Sequence, residues 1–433
     1  MTKAAQKLCH LQSRMGASGA MPANVPLKRS LSLLNATLYG LGVTIGAGIY
    51  VLVGAAVARA GMHTPIAFVF AALLMALSAA SFAELAGRMP VAAGEAAYIR
   101  RAFGSDRLAT CVGLLVVGIA IISAAAISVG SAGYVTVFLA LPQPILVTGV
   151  VLAMGAIAAW GIKESVTFAG VMTLIEVAGL LLLIVVGMAS GTDVITRLPE
   201  ALPPIGNVSA ISGIVGTALL AVFAFIGFDA LANVAEEVRD PERNLPRAIL
   251  LTLTLSTILY VLVVWVALVA VPRAELATST APLALVFERL TGASPRTMAL
   301  IAIIATLNGI IVQIILASRM LYGLARQGKL PAAFGSVSTA TRTPVYATVV
   351  TIALVLLMAL LLPLAHLADA TSRLALVVFA LVNLALVRIR SREITGPPGI
   401  YIAPPWVPWA GFASCVVLLI ADLALFFGIT LPG

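Results

Sequence analysis

Apolar residues run along this chain in long, nearly unbroken stretches, and polar residues are confined to the short intervals between them. A helix needs about 20 apolar residues to cross a bilayer. Eleven such segments are predicted, at 33–58, 64–88, 107–139, 144–160, 165–189, 209–237, 246–271, 296–325, 345–363, 367–388 and 407–430. Segments 107–139 and 296–325 are long enough to tilt or to extend past the bilayer. Residues 90–103 and 282–290 read as short surface helices in loops. The two-residue alternation of a membrane β-barrel is missing from these runs. The pattern predicts an all-α polytopic membrane protein.

Composition strengthens this reading. Of 433 residues, 61% are hydrophobic and 10% charged, with a mean hydropathy of +1.11. A soluble chain carries about 25% charged residues. Cys9, Cys111 and Cys415 are far apart, and His10, His63 and His366 sit at or near segment ends. Neither set has metal-ligand or disulfide spacing, so no metal or cofactor is expected.

The net charge of +9 reflects topology rather than nucleic-acid binding. With the N-terminus in the cytoplasm, 20 Lys and Arg fall in inside segments and 6 outside. That bias predicts a cytoplasmic N-terminus, and an odd number of spans then puts the C-terminus outside. The first thirty residues lack an apolar signal core and read as a cytoplasmic tail. The cell membrane is the expected location.

Two glycine-rich interruptions change the picture from "membrane protein" to "membrane protein with a site". Span 1 contains GLGVTIGAGIYVLVG at 40–54. Span 6 contains AVFAFIGFDALANVAEE at 221–237, with Gly227 between Phe225 and Asp229. Five spans separate them, so the two halves have opposite orientation. Paired broken helices in inverted halves point to a transporter binding site. A break frees N–H and C=O groups that cannot face lipid. The freed N–H groups at a half-helix N-terminus suit a carboxylate. The freed carbonyls suit an ammonium or another cation, and an amino acid carries both groups. The bland alternative is that Gly42 and Gly46 only let helices pack closely. A dinucleotide loop is excluded by wrong spacing and the lack of a preceding strand.

With these stretches, SFAELAGRMPVAAGEAAY (81–98), GIKES (161–165), FAFIGFDALANVAEEVRDPERNLPRAI and SRMLYGLARQGKLP, the chain resembles the amino acid–polyamine–organocation (APC) superfamily of transporters. The likeness is greatest to the cationic amino acid transporter branch and its bacterial relatives. It spans roughly residues 31–409.

The resemblance implies a LeuT-like fold of two inverted five-helix repeats, with spans 1 and 6 unwound. It divides the chain into a tail (1–30), a first repeat (31–190), a second (205–390), and a loop with an eleventh span (391–433). It also implies alternating-access transport of an amino acid. By position, the substrate carboxylate would meet backbone at Ile45, Gly46, Ala47 and Gly48. The ammonium would meet carbonyls of Thr44, Phe223, Ala224 and Ile226, with Phe223 and Phe225 as an aromatic lid. Ser123, Ser128 and Asn308 are candidate polar walls from spans 3 and 8. The family's twelfth span is not among the eleven.

Acids inside spans are costly and usually functional. Glu176, near the middle of span 5, reads either as a proton or cation site or as a structural neutral acid. A proton-coupled bacterial relative has lysine at the matching place, so that lysine's role does not carry over. Asp229 reads as a cap of the second half-helix, as a proton-linked gating acid, or as both. Glu84 and Arg88 form a helix-end pair at i and i+4, and Trp406 and Trp409 are interface anchors. The apolar pocket segments favour a small or medium neutral amino acid.

The leading expectation is a proton-coupled amino acid transporter. The alternatives are an exchanger without net ion coupling and a non-transporting sensor. No nucleotide loop or catalytic constellation is present, so neither an enzyme nor an ATP-driven pump is expected.

Overall fold

The protein is described by a computed structural model covering residues 29, 31–90, 94–161, 166–190, 194–204, 206–339, 341–392 and 399–426. All of the expected tail but residue 29, and most of the GIKES stretch, lie outside the described residues. Each of the eleven predicted segments is helical over most of its described residues. Span 1 is Leu33–Ala47 followed by Ile49–Ala60, span 2 is Thr64–Arg88, span 3 is Asp106–Val135 and span 4 is Gln143–Trp160. Span 5 is Val166–Ala189, and span 6 is Val208–Phe225 continued by a 3-10 segment, Asp229–Glu237. Span 7 is Pro241–Ala270, span 8 is Arg296–Arg326, span 9 is Val345–Leu361, span 10 is Leu364–Arg392 and span 11 is Val407–Phe426. The loop helices are Gly94–Phe103 and Pro282–Thr291, and the second is preceded by a short turn of helix, Arg273–Thr278, that the sequence pattern did not suggest.

Among the described residues, nine helical stretches are long and apolar enough to cross a membrane, counting Ile49–Arg88 as one. Leu33–Gly46 and Val345–Leu361 are apolar but shorter. No strand occurs among these residues beyond one isolated bridge.

Local chemistry sets several helix starts. Ser32, Ser105 and Asn207 each accept a backbone N–H three residues on, satisfying a donor that the first turn leaves free. Prolines stand at the first or second position of spans 2, 4 and 7, where their missing N–H costs nothing.

The packing repeats itself five spans on. Span 1 packs on span 5 and span 6 on span 10; span 2 packs on span 6 and span 7 on span 1. Spans 3 and 10 meet as do spans 8 and 5, while 2 with 7, 3 with 8 and 4 with 9 close across the two halves. Each half therefore uses the same contacts, as an inverted repeat requires.

Opposite orientation is visible at both ends of the broken spans. At one face Leu31, before span 1, pairs with Val238, after span 6: Leu31 N–H donates to Glu237 O at 3.0 Å and Arg239 N–H to Leu31 O at 2.8 Å. At the other face Arg59, ending span 1, donates to Gly216 O near the start of span 6 at 3.3 Å. The same guanidinium makes a two-pronged pair with Asp369 of span 10, at 2.9 and 2.8 Å.

Leu and Val side chains on spans 4, 5, 9 and 11 remain exposed, as a lipid-facing surface requires. Trp406 and Trp409 are exposed at the start of span 11, in keeping with interface anchors. Glu84 does pair with Arg88 at 2.8 Å, and the structure adds Arg390 and the Ala403 N–H to the same carboxylate. That buried cluster ties span 2 to span 10 and to the chain entering span 11.

Candidate functional site

The two breaks lie against each other in the bundle interior. Span 1 stays helical through Ala47 and is interrupted at Gly48 alone, with φ −113° and ψ −75°. The interruption is narrower than the run of five glycines predicts. Span 6 ends its α-helix at Phe225; Ile226 is extended, and Gly227 has φ +141°, a conformation open to glycine and to few other residues.

Each break's glycine packs on the other span's backbone. A Cβ on Gly48 would strike Ala224, and a Cβ on Gly227 would lie 2.7 Å from the Thr44 nitrogen. Both glycines are thus explained by close approach, and Gly227 also by its φ. The packing reading and the broken-helix reading of the sequence are both met, at different glycines. Gly42 only makes room for Thr173 of span 5.

Breaking the helices releases particular carbonyls. In an unbroken helix Gly48 N–H would bond Thr44 O, four residues back. Here it bonds Ile45 O at 3.3 Å instead. Likewise the donor for Ala224 O would belong to Phe228, beyond the second break; Ile226 N–H turns back to Phe223 O at 3.2 Å. The hydroxyl of Tyr260, on span 7, serves both released carbonyls, at 2.9 Å to Thr44 O and 3.0 Å to Ala224 O. Tyr260 is fully buried, against Phe225 at 5.3 Å and edge-on to Phe68 at 6.1 Å.

Sequence reasoning missed this residue. The available signal was a tyrosine hydroxyl in mid-span, a polar tip that must find a partner when buried. Tyr50 and Tyr134 follow the same rule. Tyr50 donates to Glu176 O at 2.7 Å and Tyr134 to Tyr50 O at 2.5 Å, and Tyr134 in turn accepts from Leu283 N–H at 3.4 Å.

Glu176 is brought to span 1. Its Oε1 accepts from Asn308 Nδ2 of span 8 at 3.1 Å and lies 3.6 Å from where a Gly46 Cβ would stand. Ala305 O of span 8 lies 2.7 Å from the same point. Glu176 is fully buried, and its Oε2 has no hydrogen-bond partner among the described residues. Gly46, Glu176, Ala305 O and Asn308 therefore share one spot beside the span 1 break. The residues 45–47 themselves keep helical backbone.

Of the polar wall candidates, Asn308 joins Glu176. Ser123 is buried on span 3. Ser128, also buried, donates its hydroxyl to Ala124 O of its own helix at 2.7 Å. Phe223 is buried, and Phe225 packs on Phe68 and Tyr260.

Asp229 differs from the expected helix cap: its Oδ1 accepts the N–H of Gly227, two residues earlier, at 2.8 Å. It braces the break itself. A 3-10 segment, not an α-helix, follows. Among the described residues no His, Cys, Asp and Glu cluster could hold a metal ion.

This geometry is shared with known proteins. The chain is similar to a solved structure of a mutant manganese transporter from Eremococcus coleocola, with a TM-score of 0.63 at 15% identity over 93% of this chain and 89% of that one. That likeness shows the fold, a LeuT-type helical arrangement. In sequence it is 29% identical to the branched-chain amino acid permease BcaP of Bacillus subtilis, over 91% of this chain and 88% of that protein. It is 31% identical to the vacuolar cationic amino acid transporter 4 of Arabidopsis thaliana, over 88% of this chain and 65% of that one. It is also 27% identical to a methylthioribose transporter of B. subtilis, over 94% and 89%. The family model described as amino acid permease matches residues 31–432. With broken spans 1 and 6 crossing in an inverted repeat, and a family match along nearly its whole length, this chain belongs to the amino acid permease family.

Proposed function

We propose that this protein is a secondary active transporter that moves an amino acid by alternating access, driven by protons. The observation that carries the proposal is the crossing of the two breaks, which puts released carbonyls of Thr44 and Ala224 beside the backbone of Gly48 and Gly227. In this reading the substrate ammonium is held by carbonyls of Thr44, Phe223, Ala224 and Ile226. The carboxylate is held at Gly48, where the second half of span 1 begins and free N–H groups and the helix dipole favour an anion, with Ile45, Gly46 and Ala47 as the last turn of the first half just before it. The Tyr260 hydroxyl holds the two carbonyl sets together, and it yields to the ammonium when substrate enters.

The substrate is an apolar amino acid of small or medium size. Aromatic and aliphatic side chains line the crossing, and the acid beside span 1, Glu176, already accepts from Asn308. A relative that bears the name of a branched-chain amino acid permease agrees with this choice, while one named a cationic amino acid transporter makes lysine the competing substrate to test. Glu176 is the proposed proton carrier beside span 1, and Asp229 the one beside span 6. The Lys and Arg bias supports a cytoplasmic N-terminus in a cell membrane, which makes the Leu31–Val238 face cytoplasmic and the Arg59–Asp369 face external.

The test is uptake of labelled leucine, alanine and lysine into proteoliposomes, with and without an inward proton gradient. Gradient-driven accumulation of leucine or alanine, lost in E176Q, supports the proposal. Uptake only against preloaded amino acid makes the protein an exchanger. Binding without flux makes it a sensor.

A further inference from the structure

A second buried acid lies under the span 6 break. Glu95 is on the loop helix Gly94–Phe103, between spans 2 and 3, and is 2% exposed. Among the described residues its Oε2 has no hydrogen-bond partner, and neither has the hydroxyl of Tyr98 one turn along, which is fully buried. The helix is pressed onto span 6: a Cβ on Gly94 would stand 2.7 Å from Ala232 Cβ of the 3-10 segment. The pocket is roofed by aromatic rings. Phe82 of span 2 meets Tyr98 at 6.4 Å, Phe228 at 5.8 Å and Phe379 of span 10 at 5.4 Å, all edge-on.

Among the described residues, the arginines on the elements packed around this pocket are exposed or committed elsewhere; those of span 7, which packs on the 3-10 segment, Arg243 and Arg247, are exposed. On the loop helix, Arg100 and Arg101 are exposed. From span 10, Arg388 donates to Ala102 O and covers the Phe103 ring at the helix's other end, Arg390 is committed to Glu84, and Arg392 is exposed. From span 2, Arg88 is paired with Glu84. From span 3, Asp106 pairs with Arg100 at 2.8 Å, and Arg107 is exposed. The 3-10 segment brings Glu236 and Glu237 at its far end and Asp229 at its near end. Asp229 is the charge that acts on Glu95. Burial first, and then this neighbouring carboxylate, push the Glu95 carboxyl up to about 8.

We propose that Glu95 binds one proton, forming a proton site at the joint between the loop helix and the second half of span 6, the segment that Asp229 begins. This deepens the proton-coupled reading above and rests on it. An ionised Glu95 adds a second negative charge near Asp229 and opposes closure of the joint, whereas a proton on Glu95 lets it stay closed. Asp229 also accepts the Gly227 N–H, so the charge of the pair acts directly on the break. The proton enters from the substrate crossing while the Leu31–Val238 face is closed. It leaves when the loop helix parts from span 6, which is the movement that would release substrate on that side. The step moves one proton onto a carboxylate oxygen and off again, and nothing else changes.

The test reads the proton and the transport separately. Infrared titration of the purified protein in detergent, from pH 6 to 10, should show one protonated carboxyl disappearing near pH 8. Glu95→Gln should remove that band. Glu95→Asp should keep a titrating carboxyl. Asp229→Asn should lower the proton affinity at least tenfold, and it carries the test alone if the Glu95 variant does not fold. An unchanged titration in both Glu95→Gln and Asp229→Asn overturns the site. In proteoliposomes, Glu95→Gln should lower gradient-driven accumulation at least tenfold while exchange against preloaded amino acid continues. Equal loss of exchange overturns the site's role in coupling. If the band responds to both substitutions but the unaltered protein accumulates nothing under a gradient, the site stands and the proton-coupled reading fails. If accumulation is gradient-driven and the band ignores both substitutions, that reading stands and the site fails.

Discussion

The Tyr260 hydroxyl donates to the Thr44 carbonyl at 2.9 Å, across 216 residues of sequence. The same oxygen lies 3.0 Å from Ala224 O, so a single phenol closes both helix breaks. Its single O–H is shared between the two buried carbonyls, so removing it costs about 1–3 kcal/mol for the one donor lost. Tyr260→Phe keeps the ring and its packing on Phe225. It should lower the melting temperature in detergent and reduce amino acid uptake about tenfold or more. Unchanged melting and uptake would show that the phenol is not needed to hold the breaks.

Gly227 should tolerate no side chain. Its φ of +141° strains any L-residue, and the Thr44 backbone occupies the space. Gly227→Ala should abolish uptake. Gly149→Ala on span 4, where nothing lies within 4 Å, should transport normally. Equal behaviour of the two would remove the crossing of the breaks as the basis of the site.

Arg59 and Asp369 clamp span 1 to span 10 on one face, with Gly216 O of span 6 as a third partner. Asp369 is 7% exposed, so its charge without the guanidinium is poorly solvated. Arg59→Ala should loosen this face. A cysteine placed at the fully buried Ala56 should then react with a soluble thiol reagent about tenfold faster or more. Asp369→Asn should do the same. Unaltered labelling in both would mean the ion pair does not hold that face closed.

Stability should depend on pH through Glu95. Its folded-state pKa is raised from 4.5 to about 8, by burial first and then by Asp229. The folded state therefore keeps a proton that the unfolded chain has already lost. The stabilisation is full below pH 4.5, declines as pH rises, and is gone above about 8. The slope in between is roughly one kcal/mol per pH unit. Melting temperatures from pH 5 to 9 should fall with rising pH, and Glu95→Gln should flatten the curve. A rise with pH would reverse the sign and refute the buried neutral acid.

The eleven helices were legible in the sequence because lipid leaves a backbone no other way to satisfy its hydrogen bonds. The second break was legible too, since a glycine between Phe225 and Asp229 has no helical purpose. The first was legible only as a region: five glycines mark it, and packing selects Gly48, where Ala224 leaves no room for a Cβ. The inverted repeat followed from the odd number of spans between the breaks, and the structure supplies its contacts.

Partnership across the bundle was not legible. Nothing near Tyr260 in sequence names Thr44, and nothing near Glu95 names Asp229. Glu176 could be singled out as an acid in a span, but its meeting with Gly46 and Asn308 depends on how spans 1, 5 and 8 pack. Hydropathy is a property of one segment against lipid, so it is written locally in the chain. A hydrogen bond in the bundle centre depends on the rotation and depth of two helices, which only the packing of all of them fixes.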